Sequence, residues 1–181
     1  MAAARLQSRK KAAGTSGRSA RLQPSVHIVG LISDTHGLWR PQIEEIFRDV
    51  ELIVHAGDIG GGTVLESLQR IARVVAVFGN VDDPHDPMLA RERSLTLGGV
   101  SIHVAHGHEL PMATPETVAA RYAGDVVVFG HTHRAVVFRD TSGRLVVNPG
   151  AAGPRRFDVV PSVARLTIRR GAPDVEIISL A

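Results

Sequence analysis

Cysteine is absent from the 181-residue chain. No disulfide and no thiolate-held zinc can contribute, and any metal has to be bound by His, Asp, Glu or Asn. Aromatic residues are few, with one Trp, one Tyr and five Phe. The interior must therefore be filled mainly by Val, Ile, Leu and Ala, which implies β-branched strands covered by helices. No apolar run approaches the roughly 20 residues that a membrane span needs. The first 25 residues lack an acidic side chain and also lack the apolar stretch of a secretory signal. A cytoplasmic protein is expected, with no membrane partner.

Charge of one sign is unevenly placed. Arg5, Arg9, Lys10, Lys11, Arg18 and Arg21 lie in residues 1–25. Setting them aside leaves 15 Lys+Arg against 18 Asp+Glu, a net of −3 in place of the whole-chain +3. Recognition of nucleic acid needs a basic face on the fold itself, so no specific nucleic-acid partner is expected. Residues 1–25 read as a disordered basic extension. Transient contact with polyanions and an organelle transit peptide are the alternatives. Residues 26–181 read as the folded domain.

Within that domain the apolar run Val26–Ser33 reads as a buried strand. Ile43, Ile46, Phe47 and Val50 then recur at helical spacing behind Pro41. A strand at Leu52–Ala56, a helix marked by Val64, Leu68, Ile71 and Ala72, and a strand at Val74–Phe78 complete a β-α-β-α-β series. The pattern changes after that. Ser94–Leu97 and Val100–Ala105 flank Gly98-Gly99, a hairpin signal. A helix opens at Thr114-Pro115, and Val126–Phe129 is another short strand. Ala135–Asp140 with Leu145–Val147, and Val163–Arg169 with Val175–Ser179, make two further hairpins, the last split by Gly171-Ala172-Pro173. The fold class is α/β: two packed sheets with helices outside.

The strand ends carry the chemistry. In open α/β sheets ligands bind beyond the carboxyl ends of strands, and here six successive ends deliver metal-capable groups. These are Asp34-Thr35-His36, Gly57-Asp58, Gly79-Asn80-Val81-Asp82, His106-Gly107-His108, Gly130-His131-Thr132-His133 and Asn148-Pro149-Gly150. Each alone is commonplace; a lone Gly-Asp is usually a turn. The ordered set is not. Hydrolysis of a phosphate ester needs charge stabilisation on the phosphoryl oxygens and a nucleophile at neutral pH, which two closely spaced divalent metals supply. A mixed Asp, His and Asn set without thiolate suits Mn²⁺, Fe²⁺, Zn²⁺, Ni²⁺ or Co²⁺ better than Ca²⁺.

The first five of these motifs, Asp34-x-His36, Gly57-Asp58, Gly79-Asn80, His106-Gly107 and Gly130-His131-x-His133, in this order between residue 26 and about 155, resemble the calcineurin-like metallophosphoesterase superfamily. The short chain and the Gly-Asn-x-Asp and His-Gly-His variants are most similar to its small YfcE-type phosphodiesterases. The resemblance implies a four-layer αββα sandwich of two mixed β-sheets flanked by helices. It implies two divalent ions, Mn²⁺ foremost and Mg²⁺ among the alternatives. One ion is held by Asp34, His36, Asp58 and His133. The other is held by Asp58, Asn80, His106 and His131, with a bridging hydroxide as nucleophile. Asp58 is then the bridge and a catalytic residue. Many relatives carry a histidine after the Gly-Asn pair, thought to protonate the leaving oxygen; here the position is Val81. That points to a small, activated phosphodiester as substrate rather than a monoester.

His108 is a candidate for the missing acid, or else a hydrogen-bond partner behind the ligands. Asp82 either orients Asn80 or stands solvated in a polar turn, and Asn148 is expected to support the site rather than bind metal. Arg155 and Arg156 are read as surface residues, His27, His55 and His103 as strand histidines, and His85 as exposed. Recognition is expected from residues 82–93 and 107–116. A homodimer is an open possibility. The rival readings are a catalytically silent scaffold on the same fold and a phosphomonoesterase.

Overall fold

The computed structural model describes residues 26–156 and 158–181. The basic extension expected over residues 1–25 lies outside them. Strands β1 (Val26–Ile32), β2 (Leu52–His55) and β3 (Arg73–Ala76) alternate with helices α1 (Gln42–Ile46) and α2 (Gly62–Gln69). Strands β4 (Glu92–Leu97) and β5 (Val100–Ala105), helix α3 (Pro115–Arg121), and strands β6 (Val126–Val128), β7 (Val136–Arg139), β8 (Leu145–Asn148), β9 (Ser162–Arg169) and β10 (Ala172–Ser179) follow. One sheet has the order β10-β9-β1-β2-β3 and the other β4-β5-β6-β8-β7. Both are mixed. β1, β2 and β3 are parallel to one another, as are β5, β6 and β8, while β4, β7, β9 and β10 run antiparallel to their neighbours.

Side chains alternate across each strand and so sort themselves into layers. Val29 and Leu31 of β1, Leu52 and Val54 of β2, and Leu166 and Ile168 of β9 face the second sheet. They meet Ile102, Val104, Val126, Val128, Leu145 and Val147 there. The residues between them face outward. Ile32, Ile53 and Val163 pack under Ile43, Phe47, Val64 and Leu68 of the first two helical segments. Val127 and Val146 pack under Val118 and Tyr122 of α3. Three apolar seams therefore separate four layers, the αββα sandwich that the sequence predicts.

Two boundaries differ from expectation. The apolar spacing from Ile43 to Val50 predicts a longer helix, yet α1 closes at Ile46 and the chain turns through Phe47–Val50, with the Val50 N–H bonded to Phe47 O at 3.1 Å. Burial of Phe47 and Val50 on the sheet keeps the spacing without keeping the helix. Pro173, expected in a turn, lies inside β10 opposite Ile168. A proline is tolerated there because β10 is an edge strand with no further ladder to donate to. The turn itself is the two-residue Arg170-Gly171, both at positive φ (53° and 75°), the arrangement that suits a tight hairpin.

Phe47 fills the space above Gly30: a β-carbon on Gly30 would lie 3.0 Å from its ring. Phe47→Ala should lower unfolding free energy by about 3–5 kcal/mol. Urea unfolding followed by far-UV circular dichroism checks this. A loss below 1 kcal/mol, with unchanged slope, would refute the packing role.

Candidate metal centre

Because β1, β2, β3, β5, β6 and β8 all point one way in their sheets, the loops leaving their carboxyl ends share one rim. Backbone bonds lock these loops together. Asp34 N–H donates to Gly57 O (2.9 Å), His36 N–H to Asp58 O (3.0 Å), Gly130 N–H to His106 O (3.1 Å) and Gly153 N–H to Asp34 O (3.0 Å).

On this rim Asp34, His36, Asp58 and His133 each offer one ligand atom, and the four atoms lie within 4.8 Å of one another. His36 Nε2 faces His133 Nε2 at 3.3 Å, and His133 Nε2 lies 3.2 Å from Asp34 Oδ1. Asp58 reaches toward His36 with Oδ2 (3.8 Å) and toward His106 with Oδ1 (3.4 Å). Beyond His106, His131 Nδ1 sits 3.1 Å from Asn80 Oδ1, with the His106 and His131 rings 5.4 Å apart. Asp34, His36, Asp58 and His133 thus converge in one group, while His106, Asn80 and His131 lie beside it in pairwise contacts, joined to it through Asp58. Ligands about 2.0–2.2 Å from a cation lie roughly 3–4 Å from one another, the separation found in the first group.

Three features fit this cluster to cations. Both carboxylate oxygens of buried Asp34, and Nε2 of buried His106, have no hydrogen-bond partner among the described residues. Such atoms are costly unless something positive meets them. His106 Nδ1 lies 2.7 Å from Ala56 O, so its proton is used there and the Nε2 lone pair is free to bind. Backbone conformation is the third feature. Among the described residues six non-glycine positions have φ in the left-handed region, and five of them are Asp34 (53°), His36 (46°), Asp58 (55°), His131 (67°) and His133 (60°). Strain of this kind persists where surroundings enforce it, and it gathers at functional sites.

The electrostatics prepare the groups for binding. Burial lowers the proton affinity of His36 and His131, favouring neutral imidazole. Burial alone would push Asp58 up, but nearby His106 and the Val81 N–H outweigh it and bring the carboxyl down to about 2. His106 is the reverse case: burial pushes it down, while Asp58 and Asp34 outweigh that and raise it.

Further residues support the rim without facing it. Asp82 accepts hydrogen bonds from the N–H groups of Ile59 (2.9 Å), Gly60 (3.0 Å) and Gly79 (2.9 Å). It ties the loop after β2 to the loop after β3, a role different from both sequence readings: it neither touches Asn80 nor stands solvated in a turn. Thr35 Oγ1 donates to Ile59 O (2.9 Å) and pairs with His55 Nε2 (3.0 Å), while His55 Nδ1 accepts from Gly57 N–H (3.2 Å). That network needs a neutral imidazole, and burial indeed lowers His55 to about 4. Asn148 donates to Gly130 O (2.7 Å) and accepts from Gly150 N–H (2.9 Å), fixing the start of the His131–His133 turn. Glycine is required where the backbone presses on ligands: a β-carbon on Gly79 would sit 2.1 Å from Asp58 Oδ1, and one on Gly130 2.9 Å from Asp34 Oδ2.

His108 stands behind His106, ring centroids 5.4 Å apart, and its nearest charged partner is Glu109 Oε2 at 3.6 Å. His27 pairs with Glu51, His103 stacks on Tyr122, and His85 is exposed. Two supports escape the sequence. Arg40 donates to Ala152 O (2.9 Å) and Gly153 O (3.0 Å). Arg156, read as an ordinary surface residue, brings its guanidinium within 3.5 Å of His36 Nε2. No local pattern marks either one, since their partners are distant in sequence.

A helix-strand sandwich with metal-binding side chains on the strand-end rim defines a metallophosphoesterase. The chain belongs to the calcineurin-like phosphoesterase superfamily, whose domain model matches residues 28–171. It is 35% identical over 162 residues to a probable metallophosphoesterase of Methanothermobacter thermautotrophicus, covering 83% of this chain and 91% of that one. It is 30% identical over 118 residues to phosphodiesterase YfcE of Escherichia coli, covering 56% of this chain and 62% of YfcE. Among solved structures, vacuolar protein sorting 29 from Cryptosporidium parvum superposes with a TM-score of 0.71 at 22% identity, over 86% of this chain and 98% of that one. No helix of the described residues is long and apolar enough to cross a membrane.

Substituting Asp82 by Asn removes charge from an acceptor of three N–H groups without touching a ligand. Metal affinity should fall about 10–100-fold while far-UV circular dichroism stays unchanged. Isothermal titration with Mn²⁺ measures it; unaltered affinity would show that the two loops hold their positions without Asp82.

Proposed function

We propose that this chain is a phosphodiesterase working with two divalent cations. The first is held by Asp34, His36, Asp58 and His133, the second by Asp58, Asn80, His106 and His131. The observation that carries the reading is the convergence of partnerless Asp34 and His106 atoms on five left-handed backbone positions. Divalent cations held there supply Lewis-acid stabilisation of phosphoryl charge and activation of water at neutral pH. Mn²⁺ is the first candidate, given a donor set of carboxylate, amide and imidazole.

The chain's own residues account for the rest. Asp58, between the two groups, fixes their spacing. Its Oδ1 also accepts from Val81 N–H at 3.1 Å, which holds the Asn80-Val81 turn against the rim. Val81 is 53% exposed and lines the central cleft with His36, Asp58, Asn80, His131 and His133. An apolar side chain there can neither give a proton to a leaving oxygen nor hold a water for that purpose. The preferred substrate is a small phosphodiester whose leaving group is a stable anion. We assign the proton for the leaving oxygen to His108, whose ring lies 5.4 Å from that of His106 and whose buried Nδ1 has no hydrogen-bond partner among the described residues.

Two measurements test this. The purified protein should contain transition metal and hydrolyse bis-p-nitrophenyl phosphate in a Mn²⁺-stimulated, chelator-sensitive manner. It should turn over p-nitrophenyl phosphate about tenfold more slowly or worse. Faster monoester turnover would overturn the diesterase assignment, and absence of both metal and turnover would identify a silent scaffold. For His108, the variant His108→Gln should lose little with a p-nitrophenyl leaving group and about 100-fold with a phenyl one. An equal loss with both would mean that His108 only positions His106.

A further inference from the structure

The three clefts along the rim are unlike in charge. The central one, about 150 Å³, is lined by the ligand residues, Val81 and Arg156. On the Val81 side it adjoins a cleft of about 310 Å³ walled by Ile59, Leu65, Val81 and Leu89, with Asp83 and Asp86 at its edge. On the other side lies a cleft of about 270 Å³ floored by His131, Thr132 and His133 and walled by Arg134, Arg156 and Val159. One flank is apolar and acidic; the other carries two guanidinium groups.

Those guanidinium groups stand without carboxylate partners. None of the ion pairs among the described residues includes Arg134 or Arg156. Arg156 approaches His36 instead, at 3.5 Å. A permanent cation set against an imidazole cluster that itself binds cations gains nothing from its neighbours. It becomes favourable when an anion lies against it, and the planar fork of arginine matches a phosphate oxygen pair. With the scissile phosphate assigned to the central cleft, where Arg156 also reaches, the neighbouring cleft walled by Arg134 is left for a separate anionic group.

We propose that Arg134 and Arg156 form an anion subsite beside the metal centre that receives a second phosphate, carried on the non-leaving arm of the phosphodiester substrate. The proposal rests on the phosphodiesterase reading and gives that substrate a polarity. The phosphorylated arm lies toward Val159 and the leaving group toward Val81 and Leu89. Repulsion from Asp83 and Asp86 disfavours the reversed orientation.

A matched pair of esters tests the subsite: thymidine 5′-(p-nitrophenyl phosphate) and the same compound with an added 3′-phosphate, each with the Mn²⁺-loaded full chain. The 3′-phosphorylated ester should show a kcat/KM about tenfold higher, chiefly through KM. Arg156→Gln and Arg134→Gln should each erase most of that preference. In parallel, calorimetry on the chelator-treated protein should find thymidine 3′,5′-bisphosphate binding more tightly than thymidine 5′-phosphate, with the difference lost in both variants. Equal kcat/KM for the two esters, or a preference that survives both substitutions, would overturn the subsite. Arginine-dependent binding without cleavage of either ester would keep the subsite and sink the diesterase reading. Cleavage without preference would do the opposite.

Discussion

Asp58 is the residue on which the two halves of the rim depend. It leaves the second strand of one sheet in a left-handed conformation, φ 55°, and its two oxygens point at histidines from different sheets. Oδ2 looks toward His36 of the first sheet and Oδ1 toward His106 of the second. A carboxylate 2% exposed is costly in an apolar setting unless its surroundings compensate. It is held there by the Val81 N–H, by the turn at Gly57, and by a Gly79 backbone so close that no β-carbon would fit. The two sheets are packed by apolar side chains, and at the rim Asp58 joins them together with the His106–Ala56 bond and the Asp34–His133 pair.

The supporting bonds follow from that constraint. A loop that presents ligand atoms cannot use the same atoms to hold itself in place, so neighbouring residues do it. Asp82 gathers three N–H groups of two loops, the Thr35–His55 pair closes a third contact, and Asn148 pins the His131–His133 turn from beneath. All are polar groups satisfied away from the rim, whereas the rim-facing atoms of Asp34 and His106 are among the unsatisfied ones. The separation of duties is physical: rigidity comes from satisfied groups, reactivity from those left open.

Much of this was legible in the sequence because it is local. Short apolar runs ending in Gly, Asp, His or Asn fix both the strands and the rim, and Gly98-Gly99 marks its hairpin. What stayed hidden is either tertiary or degenerate in pattern. Pro173 sits in a strand because that strand is at an edge, and edge position is not written in a local window. Phe47 and Val50 keep helical spacing after the helix has ended, because burial selects the same residues whether the backbone coils or turns. Asp82 was recognised as part of a motif, yet its three partners are N–H groups, which have no signature in sequence. Arg156 lies 120 residues from His36. Only the return of the chain after β8 across the rim, with Ala152 N–H bonded to Ser33 O at 3.0 Å, carries it there.

The same features bear on stability. Five ligand-bearing residues in the left-handed region each cost of the order of 1 kcal/mol or more, and the partnerless buried atoms add to that. A fold of this size is stable by only about 5–15 kcal/mol in total. The three apolar seams must therefore over-determine the rim: β1, β2, β5 and β6, which lead into four of its loops, have their inward side chains buried in the shared seam, and Val75 of β3 packs against it. Anything positive that binds the folded rim and not the unfolded chain adds its binding free energy to folding. Two buried carboxylate oxygens without a hydrogen-bond donor, beneath five strained residues, are the physical reason to expect a cation at this rim.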